Sequence, residues 1–150
     1  LRFYLAFYPF DFYASNLSIP ENIKIHTPKD SITKVWDPND KFEIYNDVQP
    51  GIYSYETAFN TIEQGTIYLK AYEVTKNDQL SAERILMRTS LEVENTSDTL
   101  RRYHSKESFT IYEGDWGDHY AARFELWFKP ENGNERKITE KIYKVQGWQR

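Results

Sequence analysis

The chain has 150 residues, a formal net charge of −4, a pI near 5.4 and no cysteine. Its Lys and Arg are scattered among acids apart from the pair Arg101-Arg102, which argues against nucleic acid as a partner, since phosphate affinity is built from clustered cations. Disulfides, thiolate nucleophiles, Cys-zinc sites and iron–sulfur clusters are excluded with the cysteines, and no apolar run reaches the roughly 20 residues of a transmembrane helix.

Aromatic residues make up 17% of the sequence, with 12 Tyr, 9 Phe and 4 Trp. These residues favour half-buried pleated surfaces, so the class expected is all-β. The length suits a single domain over 1–150. The first residue is Leu1 rather than Met, so a fragment, a processed product or a trimmed form is expected. The missing cysteines do not fix the compartment, since a domain of this size needs no disulfides, and an extracytoplasmic setting is the one favoured.

Taken in order, residues 1–13, LRFYLAFYPFDFY, read as a strand buried on both faces and bent at Pro9, because Pro belongs at edges and bulges. Ile23 and Ile25 alternate in a short segment over 22–26, followed by a turn over Thr27–Asp30. A short strand over 32–36 and a turn over Asp37–Asp40 come next. Phe42–Tyr45 reads as a strand and Gln49-Pro50-Gly51 as a turn. Ile52–Phe59 is a strand candidate, and Glu63-Gln64-Gly65 breaks the chain. Residues 66–75 alternate clearly, with Ile67, Leu69 and Ala71 on one face.

After a polar loop over 76–81, Ser81–Arg84 suits one helical turn capped by Ser81. Ile85, Met87, Thr89, Leu91 and Val93 then occupy alternate positions, which is strand period; a helix over 81–88 is the competing reading. The polar segment 94–106 reads as a long loop and Phe109–Tyr112 as a strand. In 121–128, Ala122, Phe124, Leu126 and Phe128 share one face. Pro130–Asn134 contains Asn-Gly, which tolerates the positive φ of tight hairpins. The return strand carries Ile138, Ile142, Tyr143 and Val145, and its shift of parity implies either a β-bulge or burial of both faces. About 8–10 short strands with regular turn signals predict an antiparallel β-sandwich with at most one short helical turn.

Tyr120-Ala-Ala122-Arg-Phe124, followed by a hairpin and a last strand, resembles the closing hairpin of immunoglobulin and fibronectin-III-like sandwiches. There, a Tyr opens the penultimate strand two residues before an inward position. The resemblance covers about 40 residues and implies an Ig-like fold. It does not carry a function.

The local constellation most suited to chemistry is the loop Glu113–His119 with its flanking Tyr112 and Tyr120. Glu113, Asp115 and Asp118 supply oxygens of the kind Ca²⁺ prefers, but the spacing is not that of an EF-hand. The plainer reading is a solvated turn whose Asp115 or Asp118 bonds nearby backbone N–H groups, with no cofactor. Trp116, Tyr112, Tyr120 and His119 also suit a sugar platform, since pyranose faces stack on aromatic rings. Against a core role for these rings, that reading requires Trp116 to be exposed.

Catalysis has little support: GxSxG, HExxH, P-loop and GxGxxG patterns are missing from the sequence, and its His residues are His26, His104 and His119. Asn16-Leu-Ser18 and Asn95-Thr-Ser97 match the N-glycosylation pattern. Lys70, Arg123 and Lys141 are expected on the polar outer face of a sheet. The function expected is a non-catalytic interaction or accessory domain that recognises a protein or glycan partner by its loops or an edge strand. A carbohydrate-binding module is the alternative, and a small acid-dependent hydrolase the third reading.

Overall fold

Period-two alternation in the sequence becomes two facing sheets in the computed structural model, which describes residues 13–14, 17–30, 41–93 and 100–148. The expected strands over 1–13 and 32–36 and the turn over 37–40 lie outside the described residues, Tyr13 excepted. In chain order the elements are β1 (Lys29–Asp30), β2 (Phe42–Asn46), β3 (Ile52–Phe59), β4 (Gly65–Glu73), α1 (Ala82–Thr89), β5 (Leu91–Val93), β6 (Arg101–His104), β7 (Phe109–Thr110), β8 (Tyr120–Pro130) and β9 (Arg136–Val145). One sheet runs β5-β4-β8-β9 and the other β1-β2-β3-β6, with β7 also pairing with β3. All pairs between these strands are antiparallel except β1 with β2. The class is all-β, with one short α-helix among the described residues.

The core sits where β8 meets its neighbours. Ala71 lies opposite Phe124, Leu69 opposite Leu126 and Ile67 opposite Phe128, and all six side chains are buried. From the other sheet, Phe59 packs 5.2 Å from Phe128 and Phe109 packs 6.0 Å from Phe124, centroid to centroid. Such tilted aromatic pairs add to the area they bury.

The parity shift in β9 has its cause in a bulge. Leu126 pairs with Thr139 but Trp127 pairs with Lys137, leaving Ile138 as the extra residue. Beyond it, Tyr143 and Val145 point inward opposite Ala122 and Tyr120, while Ile142 lies opposite Arg123 on the outer face. Lys141 shares a register position with Phe124, so it is not on the outer face expected for it. Its amine donates instead to the Phe42 carbonyl of β2 at 2.8 Å. The Tyr143 hydroxyl accepts from the Ile44 N–H and donates to Glu43, each at 3.2 Å. These side chains satisfy backbone groups on β2 that no strand pairs, and so close one seam of the sandwich.

The opposite seam corrects the sequence reading of 85–93. Residues 82–89 are helical, Ser90 is extended, and only 91–93 form a strand. Ile85 and Thr89 are buried, and they lie four residues apart. That separation is an even number and also one helical turn, so it satisfies both periods. Packing decides between them. The Thr89 hydroxyl accepts from the Leu69 N–H of β4 at 2.9 Å and donates to the Ile85 carbonyl at 2.6 Å, while the Tyr55 hydroxyl of β3 donates to the Thr89 carbonyl at 2.5 Å. The helix thereby ties β4 to β3, one from each sheet.

Smaller departures follow the same logic. Lys29–Asp30, expected in a turn, pairs with Tyr45–Asn46. Arg101–His104, expected in a long loop, pairs with Glu56–Phe59. Of the alternating 22–26 segment, His26 bridges to β9, donating to the Ile142 carbonyl and accepting from the Lys144 N–H, both at 2.8 Å.

Candidate functional site

At the end of the sandwich where β8 begins, the turn over 47–51, the loop over 111–119 and the segment 146–148 come together. Gly51 has φ +88, and a Cβ there would stand 2.4 Å from the Trp148 nitrogen. Only glycine suits both demands. The Ile111 N–H donates to the Gly51 carbonyl at 2.9 Å, and the Trp148 N–H to the Ile111 carbonyl at 2.8 Å.

Much of the loop singled out as the candidate for chemistry makes structural bonds. The Glu113 carboxylate accepts from the Ser81 N–H at 2.9 Å and the Ser81 hydroxyl at 2.7 Å. The Ser81 hydroxyl also accepts from the Tyr112 N–H at 3.0 Å. Ser81 is the N-cap of α1, as expected, but it is left-handed (φ 42) and its side chain makes no capping bond. The acid from the distant loop holds it, and a negative charge at a helix N-terminus is favourable. Replacing Glu113 with Ala removes both bonds and leaves a part-buried N–H unpaired. The expected loss is about 2–3 kcal/mol, or roughly 5–10 °C in a thermal melt followed by circular dichroism. A change within about 1 °C would show that these bonds do not hold the helix.

The Tyr120 side chain is fully buried, and its hydroxyl donates to the Glu113 carbonyl at 2.6 Å. Burial and the nearby Glu113 carboxylate push that hydroxyl well above the ordinary tyrosine range. Asp115 accepts from the Trp116 N–H at 2.8 Å, a local bond of the kind an ordinary polar turn makes. The Gly117 N–H donates to the Gln146 side chain at 2.7 Å. The Trp116 indole N–H donates to the Pro50 carbonyl at 2.8 Å, and its ring remains 39% exposed. Asp118 and His119 are exposed. The seven predicted site residues therefore divide: Tyr120 joins the core, Glu113 turns toward α1, Tyr112 lies against Arg84 of α1, and Asp115, Trp116, Asp118 and His119 stay on the loop. Among the described residues, no three acidic or His side chains gather as a metal ion would need.

Tyr112 belongs to a different feature, a groove of about 550 Å³ between α1 and the β2–β3 turn. Its lining draws Val48 and Ile52 from the β2–β3 region, Glu83, Arg84, Met87 and Arg88 from α1, and Ser108, Thr110 and Tyr112 from β7 and its flanks. Val48 is 82% exposed and Met87 75%. The Arg84 guanidinium lies 4.6 Å from the Tyr112 ring centroid and donates to its hydroxyl at 3.1 Å. Tyr112 is braced on another side by Trp148, edge-on at 6.2 Å. Sequence reasoning missed Val48, Arg84, Met87 and Arg88. The signal was present in the competing helical reading, where 84, 87 and 88 fall on one outward face.

On the outer face of the β4–β8 sheet, Lys70 and Arg123 lie as expected, around a buried Glu125. That carboxylate accepts from Arg123 at 2.8 Å and from the Trp127 indole at 2.9 Å. Lys70 stands 4.2 Å from the Trp127 ring centroid and Arg123 stands 5.1 Å from that of Tyr72. Each of these aromatic rings thus already has a cation against it. No family model, curated protein or solved structure matches this chain.

Proposed function

We propose that this chain is a non-catalytic recognition module, an Ig-like sandwich that holds a protein partner in the groove between α1 and the β2–β3 turn. One observation carries the reading: Val48 and Met87, at 82% and 75% exposure, line the same groove. Single exposed apolar residues are ordinary, but apolar side chains gathered in a concavity mark binding surfaces. The Ig-like part draws support from Tyr120, whose hydroxyl reaches back to the Glu113 carbonyl much as the corner tyrosine does in those sandwiches.

The test uses peptides selected from a random display library against the full chain. Selected peptides are expected to lose most of their affinity for the Val48→Asp and Met87→Asp variants, whose melting temperatures should stay near that of the parent because both positions are exposed. Binding that is indifferent to both substitutions would overturn the reading.

A glycan-binding reading is favoured by Trp116, whose ring is fixed by its bond to Pro50 yet partly exposed. Such a ring is suited to stacking on a sugar. Quenching of tryptophan fluorescence by soluble glycans, abolished in Trp116→Ala, would transfer the function to the loop.

A further inference from the structure

We propose that Asn132, in the β8–β9 turn, is a site of spontaneous covalent modification. Its side-chain amide is lost through attack by the Gly133 nitrogen, and the turn converts to aspartyl and isoaspartyl forms.

The chemistry needs only the chain and water. The Gly133 backbone nitrogen gives up its proton and attacks Asn132 Cγ. A C–N bond forms, the Cγ–Nδ2 bond breaks, and ammonia leaves from a closed succinimide ring. Water then opens the ring. Cleavage at Cγ leaves an aspartyl residue. Cleavage at the main-chain carbonyl leaves an isoaspartyl residue, in which the backbone runs through the side chain and gains a methylene. Either product puts a carboxylate where a neutral amide stood, so the chain becomes one charge more negative than −4.

Sequence and structure converge on this position. Only Asn132 among the asparagines is followed by glycine, which has no Cβ to crowd the attacking nitrogen. Both residues are exposed in the 131–135 connection, and among the described residues no hydrogen bond engages the Asn132 side chain. The other described asparagines are held or hindered. The Asn46 amide donates to the Pro28 carbonyl and to Asp30, each at 3.2 Å. Asn77 accepts from Arg123 at 2.7 Å. Asn22 and Asn60 precede the β-branched Ile23 and Thr61. Asn134 shares the turn, but Glu135 after it has a Cβ and is anchored to Lys70 at 2.7 Å and to the Tyr68 hydroxyl.

The product would act on a neighbouring contact. Asn132 lines a hollow of about 420 Å³ together with Glu63, Gln64 and Glu131. The Glu131 N–H donates there to the Gln64 carbonyl at 3.0 Å. A carboxylate at 132 adds like charge to a lining that already holds two acids, and the longer isoaspartyl backbone pushes the turn away from Gln64.

The test holds the full chain in warm, mildly alkaline buffer and maps proteolytic peptides by chromatography and mass spectrometry, which separate aspartyl from isoaspartyl products. Progressive loss of the Asn132 amide is expected, faster as pH rises because the nitrogen must lose its proton. Ion exchange should resolve a growing species with one added negative charge. Gly133→Ala should slow the loss several-fold. That variant should fold, since Gly133 is not left-handed and the nearest atom to an added Cβ is the end of a side-chain ring, Pro130 Cγ at 3.2 Å. Asn132→Gln should stop it over the same period, because the larger ring closes more slowly. Circular dichroism checks the fold of both variants.

Retention of the Asn132 amide while a synthetic peptide of residues 129–136 loses it would overturn the proposal. So would modification that falls first on Asn46, Asn77 or Asn134, or a rate indifferent to Gly133→Ala.

Discussion

Replacing Phe124 with Ala should remove about 3–5 kcal/mol of stability, the range for truncating a buried aromatic ring. Phe124 is fully buried at the middle of β8, the strand flanked by β4 on one side and β9 on the other. Its ring stands 6.0 Å from Phe109 of the opposite sheet and 5.9 Å from Tyr143 of β9. Both neighbours are themselves buried and fixed, Tyr143 by its hydroxyl bonds to Ile44 and Glu43. The site therefore has little freedom to collapse around the missing ring, which favours the upper part of the range. Urea denaturation read by tryptophan fluorescence measures the change. A loss below about 1 kcal/mol would mean that the two sheets are not packed through β8.

The second large effect comes from a residue with no side chain. Gly51→Ala should cost about 2–4 kcal/mol, combining a left-handed backbone that L side chains resist with a steric conflict against main chain. The new Cβ would lie 2.4 Å from the Trp148 nitrogen and 2.5 Å from its Cα. Backbone cannot rotate aside as the end of a long side chain can, so either the β2–β3 turn or the 146–148 segment must move.

Gly117 separates the two contributions. It has φ +85 but nothing within 4 Å of its added Cβ. Gly117→Ala should therefore show the conformational cost alone, about 1–2 kcal/mol. Equal losses at both positions would mean that the close approach of 51 to 148 does not exist. Because Val48 and Ile52 flank Gly51, Gly51→Ala should also weaken peptide binding in the groove, while Gly117→Ala should leave it nearly unchanged.

The sequence made β2, β3, β4 and the β8–β9 hairpin legible because each alternates over at least four residues and stops at a turn signal. Ile52–Phe59 was readable to the residue, and the parity shift of β9 allowed a bulge or burial of both faces, of which the register shows a bulge at Ile138. Helix α1 was obscured by a numerical coincidence. Positions 85 and 89 fit both periods, and the choice was made by Thr89 reaching Leu69 of one sheet and receiving Tyr55 of the other. Contacts of that range leave no local pattern.

The candidate site was less legible for the same reason. Glu113 looked like a chemical group, but its carboxylate is committed to Ser81, 32 residues earlier in the chain. The groove draws Val48 from a turn, Ile52 from the start of β3, Arg84 and Met87 from a helix, and Tyr112 from a loop. No window of sequence contains them together. Exposure at Val48 and Met87 is equally a property of the folded surface, since either residue taken alone would be assigned to a core.

Nuclear magnetic resonance mapping on the ¹⁵N-labelled chain tests the recognition surface most directly. On titration with a selected peptide, the largest shift changes are expected at 48–52, 83–88 and 108–112. Changes confined to the outer face of the β4–β8 sheet, around Tyr72, Arg123 and Trp127, or to the loop at Trp116 would contradict it and place recognition elsewhere on the molecule.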